Sequence, residues 1–324
     1  LGPLAGTLSS STDEKALSGR IRAEAGDVRV LRPGPAFYRP SVIWRSRFVE
    51  FVRGTVTPKM AAAINALCFN VTADLDQETY NDLQRTGTVH IVSASGLHVL
   101  IFAGGLTFVL GFLPIPRGWK LLLIGVILVL YAVGAGMRPP VIRSVAMAAI
   151  LGGATLLRKE PDLLSALGAT AAAYLLWRPA AVYDLGFQFS FVTVAALGMF
   201  LNMREDLPTS PLRRMGATLG EVAKASLVAT LASAPLTAYY FGTVSIVSIP
   251  ANVLIAIALP AITLTAFAAH LISGVSLALG TGLMIGIAQP LAGWVLWVAD
   301  IFGSLAFAAV AIPPFSAYWM LPYY

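Results

Sequence analysis

The chain has 324 residues, of which 57% are apolar and 12% are charged, and its net charge is +6. Soluble domains carry about 25% charged residues, whereas the segment from Ala225 to Tyr324 contains one formally charged side chain, Asp300. Such a segment cannot form a surface exposed to water. The composition therefore excludes a soluble globular protein and predicts an all-α, polytopic membrane protein.

The first 87 residues differ from the rest and are predicted to form two units. Residues 1–38 contain two short alternating runs separated by Gly26, which is the pattern of an incomplete β unit. Residues 39–87 combine a basic, aromatic, amphipathic stretch with a polar helix. The amphipathic stretch suits a helix in the membrane interface, or equally a helix docked on the protein. Because the chain starts at Leu1 without a signal-peptide pattern, we expect it to be part, or a processed product, of a longer protein.

Residues 88–324 are predicted to form a polytopic transmembrane domain with about eight helices. The apolar stretches lie at about 88–112, 119–136, 140–157, 162–177, 184–201, 218–241, 246–271 and 282–311. Several are shorter than the roughly 20 residues that a bilayer requires. Spans that contain Pro235, Pro250, Pro260 or Pro290 are predicted to be broken, because membrane proteins tolerate broken helices that pack on protein or line a wet cavity.

The basic residues between the predicted spans indicate the orientation of the chain. One set of alternate connections contains Arg117, Lys120, Arg158, Lys159, Arg204, Arg213, Arg214 and Lys224. The other set contains Arg138, Arg143 and Arg178. Basic residues accumulate on the cytoplasmic side. The segment before residue 88 is therefore predicted to lie outside the cytoplasmic membrane.

Four polar clusters interrupt the apolar stretches, and the first opens the first span. It contains His90, Ser93, Ser95, Gly96 and His98. Burial of each such polar side chain without a partner costs roughly 2–7 kcal/mol, so these residues are predicted to face protein, water or a substrate. Ser95 and His98 are three residues apart and can touch on one helix face.

The second and third clusters place charged residues within apolar segments. In the second, Arg138 and Arg143 flank two prolines. An arginine inside a membrane helix costs about 3 kcal/mol unless it has a partner or an aqueous path. The third contains Asp184, Gln188 and Ser190, with the first two on one helical face. Asp184 is predicted to pair with Arg143.

The fourth cluster follows Pro235 and contains Tyr239, Tyr240 and Asn252. Tyrosine at a helix end also suits the aromatic belt of a membrane interface. For the other clusters the alternative is contact between helices, where serine, glycine, glutamine and histidine are routine. The four clusters together favour a polar interior.

The motifs leave three classes of function open. No zinc-hydrolase or phosphate-binding-loop motif occurs and there is one cysteine, Cys68, so no metal or cofactor is predicted. Ser95 and His98 leave an intramembrane serine hydrolase open. Intramembrane arginines with aromatic side chains favour a channel for a polyanion, because arginine neutralises phosphates and aromatic rings stack on bases. A transporter of small molecules or anions is the other alternative.

Four segments, in this order, resemble the motifs of the ComEC family, the inner-membrane channel of natural transformation. They read VHIVSASGLHVLIFAGGL, LYAVGAGMRPPVIRSVAMAAI, RPAAVYDLGFQFSFVTVAALG and ATLASAPLTAYYFGTVSIVSIPANVLIAIALP. The similarity runs from about residue 45 to the C-terminus. The residues that fall on motif positions are His90, Ser95, His98, Arg143, Asp184 and Gln188.

The resemblance implies a channel that admits one strand of incoming DNA and is not an enzyme. It implies single-stranded DNA, membrane lipid, an external DNA receptor and a cytoplasmic helicase or ATPase as partners, and it leaves monomer and homodimer open. Arg143 would contact phosphate, Asp184 would hold Arg143, and Ser95, Gly96 and His98 would form the entry helix. Residues 1–38 would be the remnant of an external OB-like domain. The family's earlier spans and its metallo-β-lactamase-like domain are missing from the chain, so no nuclease activity is expected.

Overall fold

The computed structural model describes residues 39–92, 96–158, 162–200, 211–320 and 323. The α-helices are α1 Arg39–Thr55, α2 Pro58–Phe69, α3 Gln77–Arg85, α4 Val89–Val92, α5 Gly96–Gly111, α6 Arg117–Gly134, α7 Pro139–Leu156, α8 Leu163–Trp177, α9 Leu185–Phe200, α10 Pro211–Phe241, α11 Ser248–Ser273, α12 Leu277–Leu283 and α13 Gln289–Ser304. Two short strands, β1 Thr243–Ser245 and β2 Ala309–Ala311, pair antiparallel. The predicted all-α membrane architecture agrees with these helices, whereas the β unit predicted at residues 1–38 lies outside the described residues.

Local sequence signals begin and end several helices. Asp76 accepts a hydrogen bond from the backbone N–H of Thr79 (2.7 Å) and starts α3. That bond lowers the pKa of the Asp76 carboxyl group. Asp162 starts α8 in the same way through the N–H of Ser165, at 2.8 Å. Asn70 ends α2 in the left-handed conformation, with a φ of 56°.

An aromatic cluster joins α1, α2, α5, α6 and α11. Its rings belong to Trp44, Phe48, Phe69, Phe102, Tyr131 and Phe267. The Phe102 and Phe267 ring centroids lie 4.7 Å apart, and the Tyr131 hydroxyl donates to the carbonyl oxygen of Cys68 at 2.9 Å. Aromatic pairs at these distances add about 0.5–1.5 kcal/mol beyond burial. The cluster therefore fixes the first turns of α5 against α1 and α6.

The helix breaks predicted at the four prolines are absent from the described part of the chain. α10 continues through Pro235 and α11 through Pro260. Proline has no N–H for the carbonyl oxygen four residues earlier. At Pro235 that oxygen belongs to Leu231, and it accepts a hydrogen bond from the Tyr323 hydroxyl at 2.8 Å. The prediction of a break at Pro235 is wrong because another donor satisfies the freed carbonyl.

The other two prolines lie where a helix tolerates them. Pro250 is in the first turn of α11, where the N–H groups have no partner within the helix. Pro290 follows a π-helical turn, Met284–Ala288, which joins α12 to α13. A π turn shifts the hydrogen-bond register locally, so α12 and α13 form one continuous helix.

The beginning and the end of the apolar region lie together. The Arg85 guanidinium donates to the carbonyl oxygen of Leu305 at 2.9 Å. A β-carbon built on Gly87 would lie 3.1 Å from the β-carbon of Ser245 in β1. The segment before α4 therefore packs against β1 and against the end of α13.

Four of the described helices are long and apolar enough to cross a membrane: Arg117–Gly134, Pro139–Leu156, Ser248–Ser273 and the continuous helix Leu277–Ser304. Three shorter apolar helices are α5, α8 and α9. A helix of 16 residues rises about 24 Å, which is short for a hydrocarbon core of about 30 Å. The count of eight spans therefore stays a prediction.

Candidate functional site

The first and second sequence motifs meet where α5 begins. A β-carbon built on Gly96 would lie 2.5 Å from a terminal guanidinium nitrogen of Arg143 and closer still to the hydroxyl oxygen of Ser144. Glycine permits this approach because it has no β-carbon. The start of α5 is thus packed directly on the second turn of α7.

Arg143 is buried at this contact, with 7% of its surface exposed. Its Nη2 donates to the Ser144 hydroxyl at 3.2 Å, which in turn donates to the carbonyl oxygen of Pro140 at 2.9 Å. The guanidinium carbon lies 5.9 Å from the centroid of the Phe191 ring. Among the residues that the structure describes, the Arg143 Nε has no hydrogen-bond partner and no carboxylate forms an ion pair with the guanidinium.

The predicted ion pair between Asp184 and Arg143 is therefore wrong for the described residues. Asp184 is exposed, and its Oδ1 accepts a hydrogen bond from the backbone N–H of Phe187 at 3.1 Å. The carboxylate caps the start of α9, a position where side-chain acceptors satisfy free N–H groups. Asp184 thus orients α9 and leaves the arginine charge without a carboxylate.

A stack of aromatic rings leads from a surface cavity to Arg143. The cavity has a volume of about 220 Å³ and is lined by Pro139, Tyr174, Arg178, Ala180, Ala181, Tyr183 and Asp184. The Tyr174 ring stacks on Phe187 with centroids 5.9 Å apart, and Phe187 stacks on Phe191 at 4.2 Å. Arg143 covers the far ring of this stack. The second and third motifs therefore meet through aromatic packing rather than through an ion pair.

Gln188 connects the third motif to the fourth. Its side-chain nitrogen donates to the carbonyl oxygen of Val182 at 2.9 Å, and its side-chain oxygen accepts from the Tyr240 hydroxyl at 3.0 Å. The Tyr239 ring lies 5.0 Å from the Tyr240 ring, and both tyrosines are about 40% exposed. The end of α10 is thereby held at the start of α9, with two aromatic rings accessible.

The remaining predicted residues have varied positions. His90 is exposed, and its Nδ1 lies 2.9 Å from the carbonyl oxygen of Gly87. His98 is fully buried in the first turn of α5, and Ser190 is partly buried in α9. Asn252 is partly buried in α11, and its Oδ1 has no hydrogen-bond partner in the described part of the chain. Arg138 is exposed and immediately precedes α7.

Two predicted residues, Ser93 and Ser95, lie outside the described residues. The pairing of Ser95 with His98 stays a prediction for that reason. Within the described ranges, no three histidine, cysteine, aspartate or glutamate side chains are grouped so that they could hold a metal ion.

One residue near this site, Arg45 of α1, did not emerge from the sequence. Burial first, and then the positive charge of Arg138, lower the pKa of the Arg45 side chain. The sequence signal was the density of arginines in α1, which does not single out one of them. Only the docking of α1 against α6 and the resulting partial burial distinguish Arg45.

Replacement of Tyr240 by phenylalanine is expected to lower the thermal stability of the purified protein. The change removes the hydroxyl that donates to Gln188 and costs about 0.5–1.5 kcal/mol. Tyr239→Phe is the matched control, since its hydroxyl makes no hydrogen bond in the described part of the chain. Thermal unfolding in detergent gives the melting temperatures of the Tyr240→Phe and Tyr239→Phe variants. Equal melting temperatures for the two variants would contradict the Gln188 contact.

These features define a helical membrane protein in which the first three polar motifs meet around a buried arginine and the fourth contacts the third through Gln188. The chain belongs to the competence protein family: the family model described as Competence protein matches residues 67–324. The resemblance seen in the sequence is thereby confirmed, although the match begins at residue 67 rather than near residue 45.

A curated relative agrees with this assignment. The chain is 28% identical over 210 residues to ComE operon protein 3 of Bacillus subtilis (strain 168). The alignment covers 65% of this chain and 26% of that protein, so the chain spans about a quarter of its relative. No solved structure matches the chain.

Proposed function

We propose that this chain forms the path by which single-stranded DNA crosses the cytoplasmic membrane during natural transformation. Membership of the competence protein family and the similarity to ComE operon protein 3 support a role in DNA uptake. The DNA path itself is inferred from the environment of Arg143. This side chain is buried and forms no ion pair with any described carboxylate.

A buried arginine without a carboxylate is unfavourable in a protein that binds no anion. Leaving an ionic partner buried and unpaired costs about 3–5 kcal/mol. A phosphate that passes the site would supply the missing charge, and arginine matches phosphate through paired N–H donors. The charge is therefore stabilised most when DNA is present.

The exposed rings of Tyr239 and Tyr240 supply the second element that a single strand requires. Base stacking on aromatic side chains contributes about 1–3 kcal/mol per base and tolerates any sequence. These rings connect through Gln188 to α9, which also carries the Phe191 ring under Arg143. Phosphate contact and base stacking thus belong to one set of connected helices.

The partners follow from the chemistry of transport. The chain contains no phosphate-binding-loop motif, so a cytoplasmic helicase or ATPase would draw in the strand. An external receptor would deliver DNA, with the segment before residue 88 outside the membrane.

Site-specific crosslinking in cells that take up DNA tests the path directly. A photoreactive phenylalanine analogue replaces Tyr239, and in a control variant it replaces Phe108, which is 70% exposed on α5 and expected to face lipid. Cells receive labelled duplex DNA and are illuminated during uptake. We expect a nuclease-sensitive DNA adduct at position 239 and none at position 108.

The other functions predict different results. A transporter of small anions yields no DNA adduct at position 239, while uptake by the cells continues. A serine hydrolase predicts that Ser95→Ala abolishes activity while adducts at position 239 are absent. Either result would overturn the proposed path.

A further inference from the structure

A second cavity lies between α3 and the paired strands β1 and β2. It has a volume of about 290 Å³ and is lined by Asn81, Gln84, Arg85, Thr243 and Ala309. The first three residues belong to α3, whereas Thr243 begins β1 and Ala309 begins β2. This cavity and the one that leads to Arg143 have different lining residues. The second cavity is therefore a separate site.

Contacts between α3 and the strands hold the walls of this cavity together. The Arg85 Nη2 donates to the carbonyl oxygen of Leu305, which lies shortly before β2, at 2.9 Å. Gly87 packs on β1, since a β-carbon built there would lie 3.1 Å from the β-carbon of Ser245. The Ser245 hydroxyl donates in turn to the carbonyl oxygen of Ala308 at 3.2 Å. The cavity is thus a fixed feature of the fold.

The α3 wall of the cavity offers hydrogen-bond donors and acceptors on two amides. Asn81 and Gln84 are three residues apart, so they lie on one face of the helix. The Asn81 Oδ1 accepts a hydrogen bond from the Gln77 amide at 2.9 Å, which leaves the Asn81 N–H donors for a ligand. The Gln84 side chain makes no hydrogen bond within the part of the chain that the structure describes. Both of its polar atoms are therefore available to a ligand.

Arg85 gives the cavity a positive charge. Its guanidinium forms no ion pair with a carboxylate among the described residues, and the described residues that line the cavity include no acidic side chain. Asp82 of the same helix packs against α13 instead, since a β-carbon built on Gly303 would lie 2.9 Å from the Asp82 β-carbon. The cavity therefore favours an anion over a cation.

The amides and the guanidinium match the two parts of a nucleotide. Asparagine and glutamine amides hydrogen-bond to the edges of bases, and arginine binds phosphate through its N–H donors. A phospholipid headgroup supplies the phosphate but has no base edge, so it would leave both amides without a matched partner. The lining therefore favours a nucleotide over a lipid headgroup.

The cavity lies close to the tyrosines at the end of α10. Thr243 follows Tyr240 by three residues, so their α-carbons are at most about 11 Å apart. Neighbouring nucleotides of a stacked strand are separated by about 3.4 Å. One strand of a few nucleotides can therefore occupy the exposed tyrosine rings and the cavity together.

We propose that this cavity is a nucleotide-binding subsite for the incoming single strand. Asn81 and Gln84 bind the edge of a base, and Arg85 binds the adjoining phosphate. The inference rests on the proposed function, to which it adds a second place where the strand is held. A phospholipid headgroup is the competing occupant, and the experiment below distinguishes it from DNA.

Binding of two single strands that differ only in their bases tests the subsite. The full chain in phosphatidylcholine nanodiscs is titrated with fluorescent oligothymidine and, separately, with an abasic oligonucleotide of the same length. Gln84→Ala is expected to weaken binding of oligothymidine about 2- to 10-fold. The same variant is expected to bind the abasic strand as the wild type does, because that strand has no base for the amide to contact.

Arg85→Gln is expected to weaken binding of both strands, because both carry phosphates. The expected loss is roughly 10-fold, and the steepness of log K against log salt is expected to fall by about 0.7. Arg47→Gln is the control for charge, since Arg47 is an exposed arginine on α1. It is expected to keep the wild-type affinity and slope.

A variant that fills the cavity without a change of charge keeps the Arg85 contact with Leu305 intact. Ala309→Phe places a ring in the cavity and is expected to weaken binding of oligothymidine roughly 10-fold. Val310→Phe is the matched control, because neighbouring residues of a strand point to opposite faces and Val310 is 43% exposed. A wild-type gel-filtration profile shows that each variant is folded.

Four results would overturn the subsite. Wild-type affinity in Gln84→Ala, Arg85→Gln and Ala309→Phe overturns it and leaves the proposed function standing. An equal effect of Gln84→Ala on the two strands shows that no base is bound in the cavity. Wild-type DNA binding with a loss of co-purified phospholipid, measured by mass spectrometry, assigns the cavity to a lipid headgroup. Failure of the wild-type chain to bind oligothymidine overturns both the subsite and the proposed function.

Discussion

Replacement of Arg143 by methionine is expected to lower the amount of internalised DNA by about 10- to 100-fold, while DNA bound outside the cell is unchanged. Hydrogen bonds to a charged group are worth about 1.5–3 kcal/mol, and each 1.4 kcal/mol corresponds to a factor of ten. Methionine has a similar length and fills the space beside Phe191, so packing is largely kept. The measurement is nuclease-resistant label in cells after exposure to labelled DNA, with the membrane level of the protein checked by blotting.

Lysine at position 143 separates a role in binding phosphate from a role in packing. Lysine keeps the positive charge but loses the planar, paired donors of arginine, so we expect uptake between that of wild type and of Arg143→Met. A packing role predicts the opposite order, with methionine better tolerated than lysine. Arg117→Met, which removes an exposed arginine from the start of α6, is expected to leave uptake unchanged.

Replacement of Gly96 by alanine is expected to lower uptake about 10-fold without loss of the folded protein. The new β-carbon would occupy space taken by the Arg143 guanidinium and the Ser144 hydroxyl. Both obstacles are the ends of side chains, so they are displaced while the backbone of α5 and α7 keeps its course. The guanidinium leaves its position over Phe191, and a misplacement of about 1 Å is enough to disturb a positioned contact.

Two further variants define the cause of that effect. Gly104→Ala is the matched control, because a β-carbon there meets no described atom within 4 Å. Addition of Ser144→Ala to Gly96→Ala removes one of the two obstacles and is expected to recover part of the uptake. Equal uptake in Gly96→Ala and Gly104→Ala would show that the close approach of α5 to α7 has no role.

The sequence predicted the helices well because apolar runs are local signals. The predicted span 88–112 covers α4 and α5, and each later span overlaps one observed helix, up to the continuous helix of α12 and α13. The family motif segments also contain the residues that meet at Arg143, which are Gly96, Ser144 and Phe191. Their convergence depends on the packing of separate helices, which periodicity within one helix does not report.

The errors have different physical origins, some local and some in contacts between distant parts of the chain. The charge on Asp184 suggested a partner for Arg143, but the start of α9 requires an acceptor and uses that carboxylate. Proline suggested a break in α10, but a hydroxyl from the other end of the chain replaces the missing donor. The effect of the Arg138 charge on Arg45 was not predicted because the two residues lie 93 positions apart in the sequence.

The bond from Tyr323 to Leu231 has a consequence for the stiffness of α10. A helix with an unsatisfied carbonyl opposite a proline bends readily at that point, and Tyr240 follows Pro235 by little more than one turn. The hydrogen bond joins two residues that lie 92 positions apart in the chain, and it limits bending of α10 at Pro235. The alignment of Tyr240 with Gln188, and with it the aromatic surface offered to a strand, is thus set in part by residues at the C-terminal end.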